Sequence, residues 1–513
     1  MRIAAERVCV ALLLAYLAWL PMPFGSVIDR AFLPLVVPPI ALCAAASLLR
    51  AGDRRSRRSG QGQTGVPVLQ SVYRIWTAGA ILFVILVAFQ LVPLPNPMLA
   101  FLSPGSSAIW TSAERVASAA GVAMPRAHPV SVDPEATRRE LFRLIALFAA
   151  MQAAALLITT NTRRLLFAST LVLTAIFETL YGAREAAMRR YAIWGWVNRL
   201  IFDRVTGTFV NPNHFAHYVA LALPFTFFIA ALAWRQTGTT TMPMQRRIVL
   251  LFERALPAFG ISVVLFAGCV AGILLAQSRG ALASTFAGLV AIVVIAAQRE
   301  RHPDHVQPHV RKKRRRSRTA FGVAGGVAAL AVVTISLILF LGYQRTVARF
   351  EPNSAQRATL VGRTTGIGAA FAIWRRFPIF GSGFGTFGDV VSMVQKEDLE
   401  HIYDHAHDDY AEILATTGVA GFMVAIASLL TGVTLIARDI IRRPRESGSW
   451  RRRAFEIAAL WSLLIGMTHA LIDFNFFIPA NAATLAAIAG ACAAPRFRET
   501  REESGRAAVP GFA

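Results

Sequence analysis

Long apolar runs alternate with short, mostly basic polar stretches along nearly the whole chain. A membrane-crossing helix needs about 20 mostly apolar residues, because lipid offers the backbone no hydrogen-bonding partner and a helix satisfies its own. Twelve segments meet that need: residues 8–24, 31–49, 75–94, 141–160, 165–182, 214–234, 256–276, 280–298, 320–342, 411–437, 457–472 and 474–494. The first two are interrupted by Pro21, Pro23, Pro38 and Pro39, and the eleventh is short. No small-residue cleavage site follows the first run and a second apolar segment follows directly, so it reads as a retained helix and not a signal peptide. The pattern predicts an all-α, polytopic integral membrane protein of about 12 transmembrane helices with a large external loop between helices 9 and 10.

Composition agrees: of 513 residues, 55% are hydrophobic and 16% charged, which argues against a water-soluble enzyme. Cys9, Cys43, Cys269 and Cys492 all sit inside apolar runs without a CxxC pairing, so neither a disulfide framework nor a zinc site is indicated. The net charge of +24 would suggest nucleic acid in a soluble protein, but here the basic residues cluster between apolar segments. With the N-terminus inside, the inner loops carry 33 Lys and Arg against 18 in the longer outer loops. That bias puts both termini in the cytoplasm. The run Arg311-Lys312-Lys313-Arg314-Arg315-Arg316 then reads as a topology determinant that also attracts anionic membrane lipids, with no nucleic acid implied.

The expected organisation is an N-terminal membrane region of about three helices plus an external loop (1–140), a transmembrane core (141–342), a large external loop (343–410), C-terminal helices (411–495) and a basic cytoplasmic tail (496–513). The large loop holds 7 basic residues, 8 acidic residues and three histidines, so charge bias alone did not shape it.

Polar residues that could carry chemistry concentrate at the outer ends of these helices. The stretch from Arg204 to Tyr218 places Asn211, Asn213, His214 and His217 where a loop enters a helix. Asn211 or Asn213 is a natural N-cap, and the same amides and imidazoles could meet sugar hydroxyls or a phosphate at the helix N-terminus. Arg279, in a tight Gln277-Ser278-Arg279-Gly280 turn, either caps a helix end and snorkels to headgroups or offers its fork to phosphate oxygens. Arg363 is a second phosphate candidate in the large loop. The glycines at 381, 383, 385 and 388 lack a preceding strand and a GK[ST] ending, so they read as a tight turn and not a nucleotide loop. His405 and His407 with Asp408, Asp409 and Glu412 admit a metal site or a general base, and Asp408 or Asp409 could also cap the following helix. His302, His305 and His309 read as solvated. His469 and Asp473 could pair with a loop residue that the sequence does not identify.

The order of these motifs, GTFVNPNHFAHY at 207–218, SRGA at 278–281, FPIFGSGFGTF at 377–387 and AHDDYAEILATTGVAGF at 406–422, resembles the O-antigen ligase and O-antigen polymerase superfamily over roughly residues 200–480. The resemblance implies a metal-independent, inverting glycosyltransferase of a bacterial inner membrane, with its active site at the periplasmic face and no cofactor. Its donor would be a glycan on undecaprenyl diphosphate, and its acceptor lipid A-core or another lipid-linked glycan. By motif position, Arg279 and Arg363 match arginines expected to hold the diphosphate, and His407 matches the histidine of an AHN-like motif. Arg204, Asn211, Asn213, His214, Asp408 and Asp409 are candidate substrate-binding residues. Asp408 stands where Asn is common and Thr416 where the family often has Glu. The residue chemistry is compatible: an activated diphosphate leaving group needs cations over the departing charge and a base at the acceptor hydroxyl, with Asp408 or Asp409 available to orient His407. A transporter or flippase of lipid-linked glycans would share the helix count and a cationic cavity, with its key charges nearer the bilayer midplane.

Overall fold

The computed structural model describes residues 2–56, 67–197, 204–236, 245, 256–301, 354–395, 403–443 and 450–494. Its helices are α1 (Arg2–Trp19), α2 (Phe32–Ser56), α3 (Pro67–Phe89), α4 (Asn96–Leu102), α5 (Pro104–Ala119), α6 (Pro134–Leu157), α7 (Asn161–Ala187), α8 (Pro212–Gln236), α9 (Leu256–Leu275), α10 (Arg279–Arg301), α11 (Ser354–Arg376), α12 (Phe387–Val391), α13 (Asp409–Arg442), α14 (Trp450–His469) and α15 (Pro479–Ala493). Two antiparallel ladders join β1 (Leu94–Pro95) to β2 (Ala127–His128) and β3 (Ala192–Ile193) to β4 (Trp196–Val197).

Eleven of the twelve apolar segments coincide with helices; the ninth, 320–342, lies outside the described residues, as do the basic run 311–316 and His302, His305 and His309. Among the described residues, seven helices are long and apolar enough to cross a bilayer: Asp29–Ala51, Val68–Phe89, Pro134–Leu157, Asn161–Ala187, Pro212–Ala233, Arg279–Gln298 and Asp409–Arg442. Gly260–Leu275 and Pro479–Ala493 are apolar but shorter. α1 and α14 fall outside that set because each begins with several charged residues. The protein is thus a multi-pass membrane protein. Phe286, Val290 and Val294 of α10, four residues apart and all exposed, form the apolar stripe expected of a lipid-facing helix.

The prolines expected to break the second segment do not; α2 runs through Pro38 and Pro39. Pro39 has no N–H for the carbonyl of Leu35, and the Tyr16 hydroxyl of α1 donates to that carbonyl instead, at 3.0 Å. In the bundle interior α15 packs chiefly on α6, α14 lies against α8 and α10, and the buried rings of Phe167, Phe225 and Phe455 meet edge to face or tilted.

The large loop contains α11 and α12, and the glycine-rich stretch between them docks against a break in α13. At Gly418 (φ 63°, ψ −171°) the helix leaves α geometry, which frees carbonyls before the break and N–H groups after it. Ser382 N and Gly383 N donate to the carbonyls of Ala415 and Thr416 at 3.2 and 3.1 Å, while Val419 N and Ala420 N donate to Pro378 and Ile379 at 2.9 and 3.1 Å. Gln90, fully buried just beyond α3, completes the clamp. Its amide donates to the carbonyls of Phe380 (2.6 Å) and Thr416 (2.8 Å) and its Oε1 accepts from Phe384 N (2.9 Å). Gly381 has φ +73° and a Cβ there would overlap the Thr416 carbonyl carbon. Gly121 has the same φ with open space around it. Gly381→Ala is therefore expected to cost about 3 kcal/mol or more of stability, against about 1 kcal/mol for Gly121→Ala, in thermal unfolding of the detergent-purified protein. Equal losses would mean that backbone exchange does not depend on the close approach.

Candidate functional site

Among the described residues, the polar residues of the candidate motifs gather at one end of the bundle. Asn211 caps α8, its Oδ1 accepting from Asn213 N at 2.8 Å, with Pro212 in the first helical position. His214 and His217 follow at a spacing of three and share a helix face. His217 Nδ1 lies 2.8 Å from Nδ1 of His469, the last residue of α14, so in this buried pair one Nδ1 carries the proton and the other accepts it.

Four residues beyond His469 is Asp473, only 1% exposed. Three cationic or potentially cationic groups from three different segments surround its carboxylate: His407 Nδ1 at 3.5 Å, Arg363 Nη2 at 3.6 Å and His214 Nε2 at 3.7 Å. These separations leave His407 Nδ1, His214 Nε2 and Asp473 Oδ2 without hydrogen-bond partners among the described residues. The group sits around the carboxylate at slightly more than hydrogen-bonding distance. Burial pushes the Asp473 carboxyl up, but the imidazoles of His214 and His407, with His469 behind them, outweigh it and hold the carboxyl well below its ordinary range. Phe474 packs its ring against three imidazoles, stacked on His405 at 4.3 Å and edge-on to His214 and His407 at 4.6 and 5.0 Å.

Backbone geometry aims His407. It has φ +56°, a left-handed conformation that costs a non-glycine residue about 1 kcal/mol and is sustained only by its surroundings. On one side Glu412 holds the chain, its Oε2 accepting from Ala406 N and its Oε1 facing His405 Nδ1, both at 2.8 Å. On the other, Asp408 caps α13 by accepting from Tyr410 N and Ala411 N at 2.9 and 3.0 Å. Asp409 accepts from Phe476 N with both oxygens and donates its own N–H to the Ala470 carbonyl, latching the turn that carries Asp473 onto α13. The carboxylate beside His407 is therefore Asp473. This corrects the expectation that Asp408 or Asp409 orients it, since both are committed to backbone groups. The metal alternative for His405, His407 and Asp409 separates in the same way, because the three face different partners.

Arg204 donates to the Ala276 carbonyl (2.8 Å) and to Asn213 Oδ1 (2.9 Å), tying the start of α8 to the turn before α10. Arg279 is the exposed first residue of α10, and the backbone of its neighbour Gly280 lies against His469 and Ile472, which sets Arg279 at the margin of the Asp473 cluster. Thus His214, Arg363 and His407 converge on one carboxylate, while Asn211, Asn213, Arg204, Asp408 and Asp409 hold the segments that bring them there.

Some contributors escaped the sequence reading. Asn481 donates to the His214 carbonyl and to Asn475 Oδ1 at 3.1 and 3.0 Å. Glu178, buried in α7, accepts from Thr208 N and the Thr208 hydroxyl at 2.6 and 2.9 Å and so holds the loop entering α8. An acidic residue within a membrane helix was the available signal for Glu178.

Residues 261–426, about a third of the chain, match the family model described as O-antigen ligase. The matched stretch includes Arg279, Arg363, His407, Asp408 and Asp409 and stops short of Asp473. No curated protein matches the chain.

The His405–Glu412 pair yields a pH test. Burial lowers the His405 imidazole, but Glu412 outweighs it through charge and hydrogen bonding, so its pKa is raised. A raised imidazole contributes stability that is fully present below the unfolded pKa of about 6.5 and is lost as pH rises through the folded value. The unfolding-temperature gap between wild type and His405→Gln should thus be widest in mildly acidic buffer and shrink above neutrality. A gap that widened with pH would contradict the pairing.

Proposed function

From the match of residues 261–426 to the O-antigen ligase family model, we propose a membrane glycosyltransferase that moves a glycan from undecaprenyl diphosphate to a sugar hydroxyl in surface-polysaccharide synthesis. The proposed setting is a bacterial inner membrane, crossed about twelve times, with cytoplasmic termini and a periplasmic site. The acceptor is lipid A-core or another lipid-linked glycan. The observation that carries this reading is the convergence of Arg363, His407 and His214 on the buried Asp473 at one end of the bundle.

In this mechanism the acceptor oxygen attacks the anomeric carbon from the face opposite the diphosphate, inverting the centre. The bond to the diphosphate oxygen breaks and its electron pair leaves with the lipid diphosphate, whose growing charge Arg279 and Arg363 stabilise. Two guanidinium groups serve there as a metal ion does in other sugar transferases. The acceptor proton passes to His407. With Nδ1 facing Asp473, Nε2 is the nitrogen available to take it, and Asp473 both positions the ring and balances the imidazolium that forms. His214 and Arg363 share the same counter-ion, which keeps Arg363 near the base before the donor arrives.

Purified protein given a lipid-linked oligosaccharide donor, EDTA and separate acceptor pools should make covalent product. Product on lipid A-core indicates a ligase and lengthened lipid-linked glycan a polymerase. His407→Ala should lower kcat by about 10²- to 10⁴-fold with donor binding nearly intact. Arg279→Ala and Arg363→Ala should weaken donor binding as well as turnover. Asp473→Asn should lower turnover without abolishing donor binding. Unchanged product with both His407→Ala and Arg279→Ala would overturn the mechanism, and donor crossing liposomes without covalent product would indicate transport.

A further inference from the structure

A second polar hollow lies outside the matched domain, built by the segment between α3 and α6. The β1–β2 ladder pairs Leu94 with His128 and Pro95 with Ala127. α5 is tied to the chain leaving β2 by Ser106 Oγ donating to the Val130 carbonyl (2.6 Å) and Trp110 Nε1 donating to that of Pro129 (3.0 Å). This layer is joined to the loop that follows α11. Val132 N donates to the Ser382 carbonyl at 2.9 Å, and Gly105 lies against the Arg376 carbonyl and the Phe377 ring. The hollow therefore stands at the same end of the bundle as Asp473.

Asn96, Glu114, Ser118, Met124, Pro125 and Arg126 line a volume of about 450 Å³, a size ordinary for a small-molecule site. Its carboxylate is held in place. Glu114 Oε1 lies 2.7 Å from Nε2 of the buried His128 and 3.4 Å from Asn96 Nδ2. The His128 ring lies flat on Trp110, with centroids 4.7 Å apart and planes 6° from parallel. Glu114 Oε2 has no hydrogen-bond partner among the described residues. The lining thus presents a fixed acceptor, amide, guanidinium and hydroxyl donors, and an apolar edge from Met124 and Pro125. One carboxylate and one guanidinium cancel, and a free anion would meet the carboxylate's repulsion. A neutral polyhydroxylated ring, with hydroxyls for the polar groups and a C–H face for the apolar edge, is the complementary chemistry.

We propose that this hollow is a carbohydrate subsite that grips a sugar of the lipid-linked glycan away from the bond being broken, an assignment that rests on the glycosyltransferase reading above. Binding there contributes to holding the glycan in register with His407 while taking no part in the bond change.

The probe is the oligosaccharide released by mild acid from the source cell's lipid-linked glycan pool, tested with full-length protein in lipid nanodiscs. Saturation-transfer NMR reports binding, and transfer kinetics with the intact lipid-linked glycan report function. Glu114→Gln and Arg126→Ala should each weaken oligosaccharide binding by about 10-fold or more, raise KM for the glycan correspondingly and leave kcat within about two-fold, with an unchanged unfolding temperature. Variants that bind and turn over as wild type does would overturn the subsite, while His407-dependent transfer by wild type would leave the glycosyltransferase reading standing. A fall in kcat at constant KM would also overturn it. If wild type transferred nothing yet Glu114→Gln still abolished oligosaccharide binding, the sugar site would stand and the glycosyltransferase reading would fall.

Discussion

Buried backbone groups must find partners within the protein, and the break in α13 at Gly418 is where two distant segments of this chain meet that constraint together. A helix interrupted near its start exposes carbonyls on one side and N–H groups on the other. Here the glycine-rich loop after α11 takes up both sets, so four backbone hydrogen bonds join two segments that are far apart in the chain. Gln90 then fastens α3 to the same junction. Through it, the loop bearing Arg363's helix, the α13 start bearing His407 and the N-terminal layer bearing Glu114 hold fixed positions relative to one another.

The site built on this junction separates two kinds of work. Arg363, His407 and His214 face one another across Asp473 at distances too long for hydrogen bonds. Asp408, Asp409, Glu412, Asn211 and Arg204 spend their polar atoms on caps, latches and loop ties. Buried charge is costly without compensation, and placing one carboxylate beside the Arg363 guanidinium and two imidazoles offsets that cost without consuming their donors. The left-handed backbone of His407, kept in place by Glu412 before it and the Asp408 cap after it, is the local strain this arrangement sustains.

The motifs were legible because their residue types are improbable where they stand. Arg279 and His214 interrupt apolar runs, and the glycines at 381, 383 and 385 mark a backbone path closed to other residues. Asp473 was visible as an acidic residue near the end of an apolar segment, but its partners lie 66 to 259 residues away in sequence, and no local pattern encodes that distance. The same holds for Asn481 and for Glu178, whose partner is the loop at Thr208. The prolines of α2 misled in the opposite direction, because the Tyr16 hydroxyl that compensates Pro39 belongs to another helix.

Hydropathy alone therefore determined that the chain inhabits a membrane, and motif order singled out the polar residues of the candidate site, since both are properties of residue type along one dimension. Tertiary structure alone decided that Asp473 rather than Asp408 or Asp409 faces His407, that α2 survives its prolines, and that the N-terminal layer forms an open polar hollow. Those outcomes depend on which side chain meets which partner across the bundle, and such pairings are set by packing between segments whose separation in the chain carries no record of it.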